Sequence, residues 1–288
     1  MKKRILAGFI TLGLAAAGFL NSPAQAAQPG WITSCAYTHT LADDPIVFPG
    51  QPGVSHLHDF LGARSTNAFS TFDSLRAGGT ACATQGDFSG YWVPALTSAR
   101  DGVVVPSAGQ DRDGLFYYRK VVSQTIHPFP DGFKMILGNS HATSASTNPG
   151  FAGGHIYFKC GPGGGTHLAT PPTSCGSGSF LVLVFTFPNC DAVNPDGSPV
   201  IDSADHISHL SYPAGSVCPA AHPYALPRIQ AFIRYSRETG TFGAISLASG
   251  PYYTAHADFF NAWDPVLFGR LAARCLNGGT DCGVNPTP

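Results

Sequence analysis

Residues 180–187 read FLVLVFTF, an apolar run of aromatic and β-branched side chains that ends before Pro188. Successive residues of a strand point to opposite faces of its sheet. A strand whose residues are apolar on both faces is therefore expected to be covered on both sides. The run therefore predicts a central, fully covered strand.

Four further segments have a similar composition and are bounded by Gly, Pro or Asp, as strands commonly are. They are 115–122, 133–137, 155–160 and 228–235. One helix is predicted near the C-terminal end, because Asp264 can cap it, Pro265 fits its first position, and apolar residues recur at helical spacing until Asn277.

The composition favours strands and loops over long helices. The chain has 34 Gly and 24 Pro among 288 residues, about a fifth of the sequence. No repeat of the length typical of propellers or solenoids is visible. We predict a mostly β protein, a sandwich or jelly-roll-like scaffold with long disulfide-stapled loops and a C-terminal helix, formed as a single domain by residues 27–288.

The N-terminal segment, residues 1–26, is typical of a signal peptide. Lys2, Lys3 and Arg4 precede an apolar run over 5–20, and Ala24-Gln25-Ala26 supplies a small-residue cleavage site. The apolar run is shorter than the ~20 residues that span a bilayer, which disfavours an uncleaved membrane anchor. We expect a secreted, extracellular protein that begins at Ala27.

The charge of the mature chain limits its partners. Removal of the three N-terminal cations leaves thirteen cations against seventeen acids, a formal charge of −4 with His neutral. A chain without cationic excess is poorly suited to nucleic acid or to an anionic membrane, and we expect a monomer that binds neither. The acids comprise sixteen Asp and one Glu, Glu238, which excludes a mechanism based on paired Glu residues.

All eight cysteines lie beyond the signal peptide, and their even number favours four disulfides over free reactive thiols. No pair has the C-x-x-C spacing of a metal site. Loop length favours the pairs Cys35 with Cys82, Cys160 with Cys175, Cys190 with Cys218, and Cys275 with Cys282.

Two short motifs place polar side chains on one face. Residues two apart in a strand share a face, so His56 and His58 present two imidazoles together, as a metal site or an acid–base pair requires. The same alternation places His256 beside Asp258, whose carboxylate can orient the imidazole. The alternative is that these side chains are surface or structural residues.

A third candidate segment, 205–213, contains His209 and is followed by Cys218 and His222. Loops fixed by Pro and Cys often carry functional side chains, although a histidine in such a loop can also serve only to bind the backbone. Aromatic pairs add possible stacking faces for sugars, with core packing as the alternative for each. The candidates for substrate binding are Trp92, Tyr118, Tyr252 and Tyr253.

Several familiar mechanisms lack their motifs. The chain has no G-x-S-x-G elbow, no H-E-x-x-H helix and no nucleotide-binding glycine loop in a strand-to-helix context. A histidine brace needs His as the first mature residue, and the predicted first residue is Ala27.

Taken in order, these pieces form a longer pattern. They are H-x-H at 56–58, YWVPAL at 91–96, YY at 117–118, HPFPDGFKM at 127–135, FKC at 158–160, FPNC at 187–190, the segment 205–213, and HADFFNAWD at 256–264. The series resembles the secreted family catalogued as domain of unknown function nineteen ninety-six, over about residues 31–282.

The resemblance implies an extracellular protein, of a family sometimes joined to wall-binding or carbohydrate-binding modules and without a generally assigned activity. Carried onto this chain, the family's histidines fall on His56, His58, His209 and His256, with Asp205 and Asp258 beside them. Two departures occur: Tyr91 stands where a cysteine often precedes the Trp-Val-Pro motif, and Asp191-Ala192 stand where Trp-Asp-Gly often follows the cysteine.

We therefore expect an enzyme, a hydrolase or lyase, that acts on an extracellular polysaccharide. Its catalytic cluster would comprise His56, His58, His209, His256 and Asp258, and the four histidines would hold one divalent metal ion or act without metal. The alternatives are a non-catalytic wall- or glycan-binding protein and an extracellular metal-binding protein. An enzyme needs an open cleft, a binder an exposed aromatic platform, and a metal-binding protein a closed ligand shell.

Overall fold

The computed structural model describes residues 29–108, 112–161, 165–236 and 240–287, so the predicted signal peptide lies outside the described residues. The strands of the described residues are, in chain order, β1 (Gly30–Cys35), β2 (Tyr37–Leu41), β3 (His58–Gly62), β4 (Gly90–Pro94), β5 (Leu96–Ser98), β6 (Gly102–Val104), β7 (Gly114–Arg119), β8 (Lys134–Gly138), β9 (Ile156–Cys160), β10 (Phe180–Thr186), β11 (Cys190–Asp191), β12 (Leu210–Ser211), β13 (Tyr224–Ala225), β14 (Arg228–Ser236), β15 (Ile245–Leu247), β16 (Gly250–Pro251), β17 (His256–Phe260) and β18 (Asp281–Val284).

The FLVLVFTF run forms an interior strand of the largest sheet. Six strands build this sheet in the order β18-β1-β7-β14-β10-β9. Strand β10 pairs antiparallel with β14 on one side and with β9 on the other. Leu183 on one face and Val184 on the other are both fully buried, which confirms the predicted covered strand.

A second sheet packs against the first and makes the fold a sandwich. Its five strands run in the order β2-β3-β4-β17-β8. Leu61 and Phe259 of this sheet share one hydrophobic core with Leu183 of the larger sheet. The rings of Tyr91 in β4 and Phe116 in β7 stack directly, with centroids 3.8 Å apart. Two smaller sheets, β12-β11-β13 and β16-β15-β5-β6, flank this sandwich.

A buried hydrogen-bond chain also joins the two large sheets. Trp263 Nε1 donates to the Tyr118 hydroxyl, which contacts the Tyr91 hydroxyl, and Tyr91 donates to Asp87 Oδ2 at 2.8 Å. All four side chains are buried. Buried polar groups need hydrogen-bond partners, so these hydrogen bonds fix the position of Tyr91 in β4 relative to Tyr118 in β7.

Helices are short in the described residues, as the Gly and Pro content predicts. They are α1 (Phe72–Ala77), α2 (Pro149–Ala152) and α3 (Pro265–Leu271), with 3-10 turns at Ala145–Thr147 and Tyr252–Thr254. The Asp264 side chain accepts the N–H groups of Val266 and Leu267 and so caps α3, which continues as a wider π-helical segment over Ala272–Asn277. The predicted C-terminal helix is confirmed. None of the helices in the described ranges is long and apolar enough to cross a membrane.

The four disulfides are those predicted from loop length: Cys35–Cys82, Cys160–Cys175, Cys190–Cys218 and Cys275–Cys282. Such a set is typical of proteins from oxidising compartments and is consistent with an extracellular location. The other predicted strands are confirmed as β7, β8, β9 and β14, with ends that differ from the prediction by at most three residues. Composition did not indicate β3, β4 and β17, which lie next to one another in the second sheet.

Two buried carboxyl groups make stability depend on pH. Burial raises the pKa of Asp87 to about 7 and that of Asp191 to about 8. Both groups therefore keep their protons in the folded chain at pH values where the unfolded chain has lost them. The contribution of these two groups to the free energy of unfolding should consequently decrease as the pH rises from about 4 to about 8.

Asp87→Asn should remove the Asp87 share of this decrease, because the amide does not titrate, so the slope of the free energy of unfolding against pH should become more positive between pH 4 and pH 7. Urea unfolding at a series of pH values measures the slope. Asp131→Asn, at an exposed position, is the control and should keep the wild-type slope. The same slope in Asp87→Asn as in the wild type would contradict the assignment.

Candidate functional site

The register of the second sheet brings two distant histidines into one row. Strand β4 lies between β3 and β17. His58 is opposite Pro94, and Asp258 is opposite Trp92, two residues before Pro94. His256, two residues before Asp258, therefore falls level with His58 on the outer face of the sheet.

Three imidazoles converge on this face. His256 Nε2 lies 3.1 Å from His56 Nε2 and 3.2 Å from His58 Nε2. One ligand atom from each of the three rings lies within 4.8 Å of the others. His58 and His256 are buried and His56 is half-buried, so one ring of the three faces the solvent more than the others.

The hydrogen bonds behind two of the rings fix their tautomers. His58 Nδ1 is 3.0 Å from the main-chain oxygen of Asp43, and His256 Nδ1 is 3.0 Å from that of Thr254. A carbonyl oxygen only accepts, so in both neutral rings the hydrogen is on Nδ1 and Nε2 carries a lone pair. Two such lone pairs facing each other at 3.2 Å do not form a hydrogen bond. A cation between them removes the conflict.

The protein keeps these rings neutral. Burial lowers the pKa of His56 to about 4, with His141 adding to the shift. It lowers the pKa of His256 to about 3, and that of His58 well below its usual value, and in both cases the neighbouring histidines lower it further. Neutral imidazole is the form that binds a metal ion.

Two carboxyl groups lie beside the histidines. Asp258 is buried, its Oδ2 is 4.0 Å from His256 Nε2, and neither of its oxygens has a hydrogen-bond partner among the described residues. Burial raises the pKa of Asp258 well above its usual value, and nearby Asp44 raises it further. The pKa of Asp44 is itself raised by burial, although the Val47 and Ile46 N–H groups oppose the shift. Burying a carboxyl group without hydrogen-bond donors costs free energy, and an adjacent cation would offset that cost.

The site opens into a cavity of about 620 Å³. Its lining combines apolar residues with a set of titratable side chains: His56, His256, Asp258, Asp44, His141 and His206. A volume of this size is within the range of about 300 to 1,000 Å³ that small-ligand sites occupy. The histidine cluster is therefore accessible from a cleft and is not enclosed.

The predicted convergence is correct for His56, His58 and His256 and wrong for His209. His209 Nδ1 is 2.9 Å from the Ser203 hydroxyl, and its Nε2 is 3.0 Å from the main-chain oxygen of Lys134. Both ring nitrogens are thus used in holding the loop against β8, so neither is available to the cluster. The histidine of this segment that lines the cavity is His206, which the sequence analysis did not single out as a site residue.

The four aromatic candidates for substrate binding also fall into two groups. Trp92 and Tyr118 are 0% exposed, so a sugar cannot stack on them and both belong to the core. Tyr252 and Tyr253 are half-buried, form an edge-to-face pair with centroids 5.5 Å apart, and stay candidates for substrate binding.

The trio of His56, His58 and His256 fits a divalent transition metal ion. Nitrogen ligands lie about 2.0–2.1 Å from such an ion, and tetrahedral corners at that radius are about 3.3 Å apart, close to the spacings of the trio. Imidazole also suits Zn²⁺, Cu²⁺, Fe²⁺ and Ni²⁺ better than Ca²⁺ or Mg²⁺. Three histidine ligands leave a coordination position open, as in catalytic rather than structural metal sites.

Comparison with known proteins identifies the family. A model described as Domain of unknown function (DUF1996) matches residues 44–263, and the chain belongs to this family. Neither the curated proteins nor the solved structures contain a significant match to the chain.

Metal retention by substituted proteins should distinguish the histidines of the trio from His209. We expect the wild-type protein, dialysed against Zn²⁺, to retain one ion per chain in elemental analysis. Loss of a hydrogen bond that supports a ligand typically lowers metal affinity by about 10- to 100-fold. His58→Ala removes a ligand itself and should lower the affinity for Zn²⁺ by more than that. His209→Ala should retain one ion, because its ring is bound elsewhere. Loss of the ion from His209→Ala, or its retention by His58→Ala, would contradict the ligand set.

The low pKa values predict the protonation state of the metal-free protein. At pH 5.5 the rings of His56, His58 and His256 should all be neutral, with hydrogen on Nδ1 of the last two. Long-range ¹H–¹⁵N correlation spectra distinguish the two tautomers and the imidazolium form. An imidazolium pattern at that pH for His58 or His256 would be incompatible with the site.

Proposed function

We propose that this DUF1996 protein is secreted as a single domain and is a metal-dependent enzyme that cleaves an extracellular polysaccharide in the cleft above His56, His58 and His256. The observation that carries the proposal is the pair of fixed Nε2 lone pairs at 3.2 Å on His58 and His256, beside the unpartnered carboxyl of Asp258. A divalent ion bound there supplies Lewis-acid chemistry and lowers the pKa of water.

The chain's own residues have separate parts in this proposal. Main-chain carbonyls of Asp43 and Thr254 orient the His58 and His256 rings, which requires no change of structure when the ion binds. Asp258 contributes negative charge next to the ion. His56 is the half-buried member of the trio and lines the cavity together with His256.

Several features support a polysaccharide as the substrate. The signal-peptide pattern predicts that the protein meets extracellular material. The cavity is open and its wall offers the hydrogen-bonding groups that sugar hydroxyls need, among them Asn139, Ser140 and His141. Tyr253 immediately precedes Thr254, whose carbonyl orients His256, and it is half-buried. Its main-chain oxygen accepts from Asn148 Nδ2, next to Pro149 of the cavity wall.

The open cleft favours an enzyme over an extracellular metal-binding protein, whose ligand shell would be closed. A glycan-binding protein without catalysis would need an exposed aromatic platform, and two of the four aromatic candidates are in the core. The proposed protein acts as a monomer on polysaccharide, with neither nucleic acid nor membrane as a partner.

His56→Ala is the most informative substitution, because this ring is the least buried of the three. The Zn²⁺-loaded wild-type protein should release soluble oligosaccharides from at least one member of a panel of wall polysaccharides, measured by reducing ends and by absorbance of unsaturated products. His56→Ala should lose release by at least about a hundredfold while its melting temperature stays within about 4 °C.

The matched control is His167→Ala, at an exposed histidine that lines a separate cavity of about 330 Å³ and stacks on Tyr157. It should keep wild-type release. If the loaded wild-type protein binds glycans and releases nothing from any of them, the binding-protein alternative replaces the proposal.

A further inference from the structure

His206 occupies the wall of the same cavity in an unusual backbone conformation. Its φ is +59°, and the only other non-glycine residue with a positive φ in the described residues is Asn285. Side chains with a Cβ rarely adopt this left-handed region, which is energetically unfavourable for them. Such residues persist where the surrounding structure imposes them, and they concentrate at functional sites.

The surrounding turn imposes the conformation. Asp205 Oδ1 accepts the N–H groups of Ile207 and Ser208 at 3.1 and 2.8 Å, which fixes the backbone immediately after His206. The His206 carbonyl accepts the N–H of Ile136 at 3.1 Å, so the turn is joined to strand β8. Ile136 is paired with Asp258, which places His206 beside the row that contains the candidate site. Glycine would adopt this φ without strain, so the backbone conformation of the turn does not itself call for an imidazole.

The His206 ring is itself oriented by a carboxylate. Its Nδ1 lies 2.7 Å from Asp202 Oδ1, and the other oxygen of Asp202 is 3.9 Å from the Lys134 ammonium. A carboxylate only accepts, so the neutral ring donates from Nδ1 and its Nε2 is a free base. The side chain is 20% exposed, which leaves it accessible from the cavity. Asp44 also lines the cavity; burial raises its pKa, and the charge of His206 opposes that shift.

We propose that His206 is the acid–base catalyst of this cavity and that Asp202 is its positioning residue, an inference that rests on the proposed function. In hydrolysis, His206 Nε2 takes a proton from water as the water oxygen bonds to the anomeric carbon. The bond from that carbon to the glycosidic oxygen breaks, and the proton passes to the departing oxygen. Atoms and charge balance without an oxidant or a reductant.

The strained backbone allows a test of function that is independent of the substrate. His206→Gly removes both the ring and the unfavourable φ. A structural histidine would lower the melting temperature when removed, whereas a residue kept for catalysis should leave it unchanged or raise it by up to about 4 °C. A fall of more than about 4 °C would overturn the proposal whatever the substrate is.

The kinetic test uses the Zn²⁺-loaded protein and the polysaccharide that gives the highest release in the panel. His206→Gly should lower kcat by about 10²- to 10⁴-fold with KM changed less than about threefold, and should keep one Zn²⁺ per chain. Added imidazole should restore part of the release in His206→Gly and none in His56→Ala. Asp202→Asn should lower kcat by a smaller factor.

His222→Ala is the control, because His222 follows the His206 segment in the sequence, its Nε2 lies 3.1 Å from the main-chain oxygen of Ser208, and it is absent from the cavity wall that the described residues form. It should keep wild-type kcat. Full activity of His206→Gly would overturn the catalytic role and leave the metal site and the proposed function standing. A Zn²⁺-loaded wild type that releases nothing from any polysaccharide would overturn both proposals, while metal retention alone would still support the three-histidine site.

Discussion

The two hydrogen bonds from Nδ1 of His58 and His256 to main-chain carbonyls determine what the site can do. Without them either ring could rotate or change tautomer, and the contact at Nε2 would become an ordinary hydrogen bond. With them, both lone pairs point at the same space. Each carbonyl is held in turn: the Asp43 side chain accepts the N–H groups of Gly53 and Ala68, and the Thr254 hydroxyl donates to the Pro251 carbonyl. The loops around β3 and β17 thus serve as supports for two imidazoles.

The parts of the site that follow local periodicity could be predicted from the sequence. His56 with His58 and His256 with Asp258 are pairs two residues apart, and a strand or extended segment brings such pairs to one side. That the two pairs meet depends on β4 lying between β3 and β17. The pairing of Trp92 in β4 with Asp258 in β17 joins residues 166 positions apart, which no local pattern encodes. The long apolar strand β10 was predictable because its composition alone decides its burial. Strands β3 and β17 were not, because polar residues such as His58, His256 and Asp258 interrupt their apolar pattern.

The predictions that were wrong, for His209, Trp92 and Tyr118, failed for identifiable physical reasons. His209 and His206 are three residues apart in one loop, and which of them enters the cavity depends on the positive φ at His206 and on the turn that Asp205 fixes. His, like Asn and Asp, tolerates this region better than most residues, but the sequence does not show where it is used. Trp92 and Tyr118 were candidates for stacking because aromatic residues serve both cores and sugar sites. Trp92 packs with Phe60 on the outer face of the second sheet, and Tyr118 lies in the hydrogen-bond chain with Trp263.

The distribution of rigidity across the site suggests a division of labour. His58, His256 and Asp258 belong to strands β3 and β17, each of which is paired on both sides, so the groups that would surround the proposed ion are held in position by the sheet. His206, Asp205 and His141 lie on turns and loops, where insertions and substitutions are better tolerated. A metal centre needs its ligands within a few tenths of an ångström, whereas a polymer can be bound by many wall arrangements. The strand residues should therefore govern whether the ion binds, and the loop residues should govern which substrate reaches it and how its protons move.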